Sequence, residues 1–289
     1  SAATFGPMVA DVSLWFDKRR GIAVAIVASG NYLSGAIWSP IISWGIAEYG
    51  WRDTHIGIGI VCLVTMLPLA FMLRRRADTS DNSTTDAAST HPTPFGISRK
   101  TLMALLIVAG LACCVAMSMP QVHIVAYCRD LGYGVTRGAE MLSIMLTLGV
   151  VSRLVSGLIA DKIGGLATLL IGSTLQCIAL FFYLPFDGLV SLYLVSALFG
   201  LSQGGIVPSY ALIVRKYFPA REAGTRVSAV LMTTVAGMAL GGWMSGEIYD
   251  LTGSYRAAFI NGIVWNLVNM SIAFWILMGS IRGRAVHSH

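Results

Sequence analysis

The stretch Arg153-Leu-Val-Ser-Gly157-Leu-Ile-Ala-Asp161-Lys-Ile-Gly164-Gly165 decides how this chain is read. An arginine stands inside an otherwise apolar helical pattern, and eight residues later a charged, glycine-rich turn ends that pattern. At about 1.5 Å per residue those eight residues cover about 12 Å. A bilayer's hydrocarbon core is about 30 Å thick, so a turn at one face puts Arg153 near the middle. A guanidinium at that depth costs several kcal/mol unless it meets water, protein or an anion. An arginine side chain reaches only about 6–7 Å, too short to snorkel from there to the surface.

The rest of the chain supplies the membrane. Hydrophobic residues make up 55% of the 289 and charged residues 12%, with a mean hydropathy of +0.71. Soluble domains carry about 25% charged residues. The apolar residues fall in blocks long enough to span a bilayer as helices, at about 21–46, 55–73, 101–126, 140–160, 166–184, 188–213, 226–247 and 257–279. Barrel strands of about ten alternating residues are not the pattern. Residues 1–16 read as the tail of one more helix, cut at Ser1.

Charge placement gives an expected orientation. Fifteen Lys and Arg fall in one alternating set of loops, four (Arg52, Arg129, Arg137, Arg256) in the other, and Arg153 remains in the membrane. The positive-inside rule makes the first set cytoplasmic, together with the C-terminus, in a multi-pass cell (inner) membrane protein. The net charge of +6 is therefore a membrane signature, and nucleic acid is not an expected partner. The five cysteines have no metal or disulfide spacing, and no phosphate loop or catalytic triad pattern occurs. Neither enzyme activity, metal nor cofactor is expected.

Residues 74–100 open with Arg-Arg-Arg and continue through a tract rich in Ser, Thr, Asp and Pro. This reads as a cytoplasmic linker between residues 1–73, the remainder of an N-terminal bundle, and 101–289, a six-helix C-terminal bundle with a short tail. Two segments resemble each other at offsets of 199–207 residues, 202–204 at their two ends. Trp15-Phe16…Gly21…Gly30…Gly35…Gly45…Glu48-Tyr-Gly50-Trp-Arg52 lies over Tyr217-Phe218…Gly224…Gly237…Gly242…Gly246-Glu247…Gly253-Ser-Tyr255-Arg256. Both run from cytoplasm to outside and back, the parallel repeat that relates the halves of a two-bundle transporter. The second copy has six spans and the first two and a tail. About three and a half spans, roughly a hundred residues, are thus expected before Ser1. Lacking them, the chain by itself is not expected to transport.

These motifs resemble the major facilitator superfamily. Gly157-Leu-Ile-Ala-Asp161-Lys162-Ile-Gly164 is similar to its signature between helices 8 and 9, with Gly165 and Leu166 where a basic pair is usual. The resemblance implies an all-α integral membrane fold comprising the tail of helix 4 and helices 5–12. The Trp15-Phe16 turn, the His123 segment, Arg153 and Tyr249-Asp-x-Thr-Gly-x-Tyr255 resemble the monocarboxylate porter and oxalate–formate antiporter branch. That implies carriage of a small organic anion, mono- or dicarboxylate, with Arg153 meeting the carboxylate. The branch's proton-linked aspartate is Gly149 here, and its helix 11 lysine has no counterpart in 226–247. Proton and counter-anion both stand as coupling species.

Arg153 is the leading binding candidate, since a planar fork suits carboxylates; the alternative is an arginine paired structurally with a backbone carbonyl or with a partner in the helices expected before Ser1. His123, an imidazole able to bind substrate or relay a proton, is balanced between those roles and a packed side chain. Gln121, Tyr127, Gln203, Tyr210, Asn31 and Tyr32 are further candidates, though interhelical hydrogen bonding explains most such residues. The resemblance makes Gly157, Asp161, Lys162 and Gly164, with Arg19 and Arg20, a conformational latch. Asp161 would face the freed amides at Gly21–Val24 and hold the outward-open state. The competing classes are an exporter of a hydrophobic or cationic compound, and a membrane sensor or scaffold.

Overall fold

The computed structural model describes residues 8–9, 11–12, 15–16, 19–72 and 93–286. Most of the expected helix tail at 1–16, the linker core at 74–92 and the last three residues lie outside the described residues. Within them the chain is helical, with no strand. The helices are α1 (Arg20–Met72), α2 (Arg99–Asp130), α3 (Val135–Ile163), α4 (Gly165–Phe182), α5 (Leu189–Gln203), α6 (Ile206–Tyr217), α7 (Ala220–Thr252) and α8 (Tyr255–Val286). Among the described residues, seven segments are long and apolar enough to cross a membrane: the second arm of α1, α2, α3, α4, the α5–α6 pair, α7 and α8.

α1 is two helices. At Gly50 the backbone takes φ 78° and ψ 165°, which only glycine adopts without strain. The arms fold back on each other there, so that a Cβ built on Gly45 would lie 2.8 Å from Thr54 Cγ2. The connection implied between the blocks 21–46 and 55–73 is therefore reduced to one residue. Helical hydrogen bonding resumes at once because nothing on either side of Gly50 opposes it. The repeat is visible here in three dimensions. α7 runs to Gly253, another positive-φ glycine (64°), from which α8 returns. Gly50 and Gly253 are 203 residues apart, inside the offset of the repeat.

α2 is the axis of the C-terminal half, packed against α3, α7 and α8. Its face from Leu106 to Met119 is almost wholly buried. Ser98 caps its start, its side chain accepting from the Thr101 amide at 3.1 Å. α3 lies between α1 and α5, and a single residue, Gly164, separates it from α4. The second arm of α1 has no residue buried in its apolar window, as its featureless sequence suggests.

The span expected as one helix over 188–213 is interrupted. α5 ends at Gln203 and α6 begins at Ile206, with Gly204 and Gly205 between them in right-handed backbone. Pro208 is the cause. A proline has no amide hydrogen, so the Gly204 carbonyl four residues earlier loses its helical donor. The Ser209 amide still reaches Gly205 O at 3.2 Å, so the result is a kink and not a reversal.

Candidate functional site

A cavity of about 370 Å³ lies between α1 and the C-terminal helices. Asn31, Tyr32 and Ser34 reach it from α1, Gln121 from α2 and Arg153 from α3. The opposite wall is apolar, built by Met117 of α2 with Leu231, Val235 and Met238 of α7.

Arg153 is 3% exposed. Its Nε donates to the Gly204 carbonyl at 2.9 Å and its Nη1 to the Ala28 carbonyl at 2.5 Å. The Tyr32 ring covers the guanidinium, with Cζ 4.0 Å from the ring centroid. Among the described residues no carboxylate pairs with it and no group accepts from Nη2. The fork thus spends two nitrogens on backbone and keeps one for the cavity. The backbone tie is thus present, and one nitrogen of the fork has no acceptor among the described residues.

Glycines make the crowding around Arg153 feasible. A Cβ on Gly204 would stand 2.5 Å from both Arg153 N and Gly149 O, and one on Gly200 would meet the Met145 backbone at 2.6 Å. α3 and the α5–α6 kink therefore touch backbone to backbone, as small residues allow. Gly149 also leaves room for the Tyr32 ring, 3.1 Å from the position its Cβ would take.

The other candidates separate by location. Gln121 donates from Nε2 to Gln203 Oε1, and Gln203 Nε2, fully buried, has no partner among the described residues. His123 stands off the cavity, its Nε2 2.9 Å from Gly242 O on α7. A carbonyl only accepts, so that nitrogen carries hydrogen. Tyr127 is enclosed by the rings of Tyr255 and Phe259, at 5.3 and 5.6 Å. Tyr210 donates to Asn269 Oδ1 at 2.7 Å inside the C-terminal half. The structure therefore brings Arg153, Gln121, Asn31 and Tyr32 together at the cavity. It places His123, Tyr127, Gln203 and Tyr210 in helix contacts.

At the far end of α3, Asp161 bridges to α1. Its Oδ1 accepts from the Gly21 amide at 2.6 Å and its Oδ2 from the Ile22 amide at 3.1 Å. These amides are in the first turn of α1, where no intrahelical acceptor exists and a carboxylate is favoured. A Cβ on Gly157 would lie 2.7 Å from Ala25 Cβ, and one on Gly21 would overlap the Gly157 carbonyl. Lys162 is exposed beside this contact, and Gly164 at φ 87° ends α3. Arg20 Nε donates to the Phe16 carbonyl at 3.2 Å, and Arg19 borders an apolar hollow with Phe16 and Ile22.

Sequence reasoning missed the carbonyls of Ala28 and Gly204 and the apolar wall of α7. Only the first lacks a readable signal. Pro208 four residues after Gly204 marks the second, and the α7 residues recur at helical spacing.

Helices of membrane-spanning length folded around an inter-helix cavity, with a buried arginine on its wall and a carboxylate at a helix start, define a multi-pass helical membrane protein. The family model of the Major Facilitator Superfamily matches residues 1–241 and 142–287, and the chain belongs to that superfamily. It is similar to monocarboxylate transporter 13 of Bos taurus, 27% identical over 271 residues, covering 90% of this chain and 60% of that protein. The MFS-type transporter pynF of Aspergillus niger is 26% identical over 76% of this chain and 50% of its own length. The chain thus spans about 60% of the length of the curated relatives it matches first. Among solved structures, the human organic anion transporter MFSD10 superposes with a TM-score of 0.70 at 15% identity. That match covers 94% of this chain and 67% of the other. The transporter FucP in its outward conformation gives 0.65 at 14%, covering 95% and 72%. These last two likenesses concern the fold.

Proposed function

We propose that the full-length protein is a secondary transporter that carries a small organic anion, mono- or dicarboxylate, by alternating access, with the carboxylate received by Arg153. The observation that carries this reading is the Nη2 of a buried arginine, without an acceptor among the described residues, on the wall of a cavity between two helical groups. End-on pairing of Nη2 with a carboxylate supplies a counter-charge that the described residues do not. The relatives named monocarboxylate transporters support the same class.

In this reading residues 1–73 belong to one bundle, 74–100 link, and 101–289 form the other. Linker and C-terminus are cytoplasmic in the cell membrane. The Asp161 contact with Gly21 and Ile22 is the cytoplasmic latch of the outward-facing state. Gln121, Asn31 and Tyr32 complete the substrate's surroundings, and a proton or counter-anion provides coupling.

The test is uptake of labelled lactate, pyruvate and oxalate into proteoliposomes holding the full-length protein, with and without a pH gradient. Arg153→Lys and Arg153→Gln should each lower uptake at least tenfold, the loss of a buried charge-assisted pairing. Unchanged kinetics in both would remove Arg153 from the substrate site. A second reading, export of a hydrophobic compound, is favoured by the apolar wall of Met117, Leu231, Val235 and Met238. It predicts dye efflux that is indifferent to Arg153→Gln.

A further inference from the structure

Arg153 sits in its helix partner's break, and the break has a covalent cause. Gly204 O would accept from the amide of residue 208 in an unbroken helix, and residue 208 is a proline. A carbonyl left bare inside a membrane bundle costs several kcal/mol unless another donor reaches it. Here the donor is Arg153 Nε, at 2.9 Å, and Gly204 must be a glycine for the backbones to come this close. With Nε fixed on α5–α6 and Nη1 on Ala28, the planar guanidinium has no rotational freedom left. Nη2 is the nitrogen left without an acceptor among the described residues, on a side chain that lines the cavity.

We propose that Pro208 is a positioning residue. By withholding an amide from Gly204 O, it creates the acceptor that docks Arg153 Nε and so aims the Nη2 edge at the substrate. Pro208 itself need not touch the substrate. The proposal rests on the reading of Arg153 as the carboxylate receptor.

Replacing Pro208 by alanine returns an amide to position 208. The Gly204 carbonyl then has a helical donor that competes with Arg153, and the guanidinium is freed to swing. In the full-length protein in proteoliposomes, Pro208→Ala should raise the KM for the transported acid about tenfold, the loss of one hydrogen bond to a charged group, with the maximal rate within about twofold of wild type. Modification of Arg153 by phenylglyoxal, read by peptide mass spectrometry, should become several-fold faster. The double variant Val207→Pro with Pro208→Val keeps a proline kink but moves the bare carbonyl to Gln203. It should behave like Pro208→Ala, and wild-type behaviour in it would mean that the kink, not the Gly204 carbonyl, matters.

An unchanged KM and unchanged labelling rate in Pro208→Ala overturn the proposal, as does a fall in maximal rate and melting temperature without either effect. If Arg153→Lys lowers uptake while Pro208→Ala does nothing, only this inference fails. If no tested acid is carried and Arg153→Lys changes nothing, the functional reading fails, and the labelling rates still decide whether Pro208 holds the guanidinium.

Discussion

Asp161 Oδ1 lies 2.6 Å from the amide nitrogen of Gly21, 140 residues away in the chain, and Oδ2 takes the next amide at 3.1 Å. One carboxylate thus closes two of the open donors at the start of α1. An anion at a helix N-terminus is worth about 0.3–2 kcal/mol. Asp161→Asn keeps one acceptor and loses the charge, so the junction should weaken by about 1 kcal/mol. Cysteine labelling on both sides of the full-length protein should then shift toward access from the Asp161 end. Labelling that stays as in wild type would show that this contact does not hold the state.

Glycine replacement separates close approach from backbone freedom. Gly157→Ala puts a Cβ 2.7 Å from Ala25 Cβ, and overpacking of this kind costs about 1–3 kcal/mol. Gly224, early in α7, has nothing within 4 Å of its Cβ position. Gly224→Ala should leave the melting temperature in detergent unchanged or raise it, by about 0.5–1 kcal/mol of helix stabilisation. Equal destabilisation by the two variants would refute the close-packed junction.

Inside the C-terminal half, Tyr210, Asn269 and Ser173 form a buried chain of hydrogen bonds at 2.7 Å each. Tyr210→Phe removes one bond at an end and should cost about 1 kcal/mol. Asn269→Ala strands both Tyr210 and Ser173 and should cost more, about 2–3 kcal/mol. Unfolding in denaturing detergent measures the difference, and the reverse order would mean the chain is not as drawn.

His123 gives a test by isostere. Its Nε2 faces Gly242 O at 2.9 Å, and a glutamine amide can present a donor at a similar reach. If the contact is one of packing, His123→Gln should keep melting temperature and transport near wild type, while His123→Ala should lose about 1 kcal/mol of stability. A pH profile of transport that changes in His123→Gln would instead assign the imidazole a protonic role.

Much of the architecture is legible in the residues themselves. The eight blocks correspond to helices because block length against bilayer thickness is a strong constraint. The repeat is legible because the same glycines punctuate both copies, and Gly50 and Gly253 both turn out to be positive-φ reversal points. Less legible was how abruptly the chain could turn. The polar run Glu48–Asp53 reads as a loop, yet side-chain polarity says little about backbone hydrogen bonding, and a single glycine suffices. Arg153 was visible because a cation in an apolar block is costly. Of its two carbonyl partners, Ala28 O carries no sequence signature at all, and Gly204 O is marked only indirectly, by Pro208 four residues on. Among the polar candidates, helical phase alone did not separate Gln121, which lines the cavity, from Tyr210, which faces Asn269. That distinction depends on which helices become neighbours.

The two carbonyls that hold Arg153 also differ in when they are made. Ala28 is synthesised well before α3 leaves the ribosome, whereas Gly204 follows Arg153 by 51 residues. Admitting an arginine at mid-helix costs about 2.5–3.5 kcal/mol during insertion. The only one of its two observed acceptors present at that moment is on α1. For insertion in chain order, the acceptor at hand for α3 is therefore on the helix made before it, and the kinked pair comes to a guanidinium for which one carbonyl is already available.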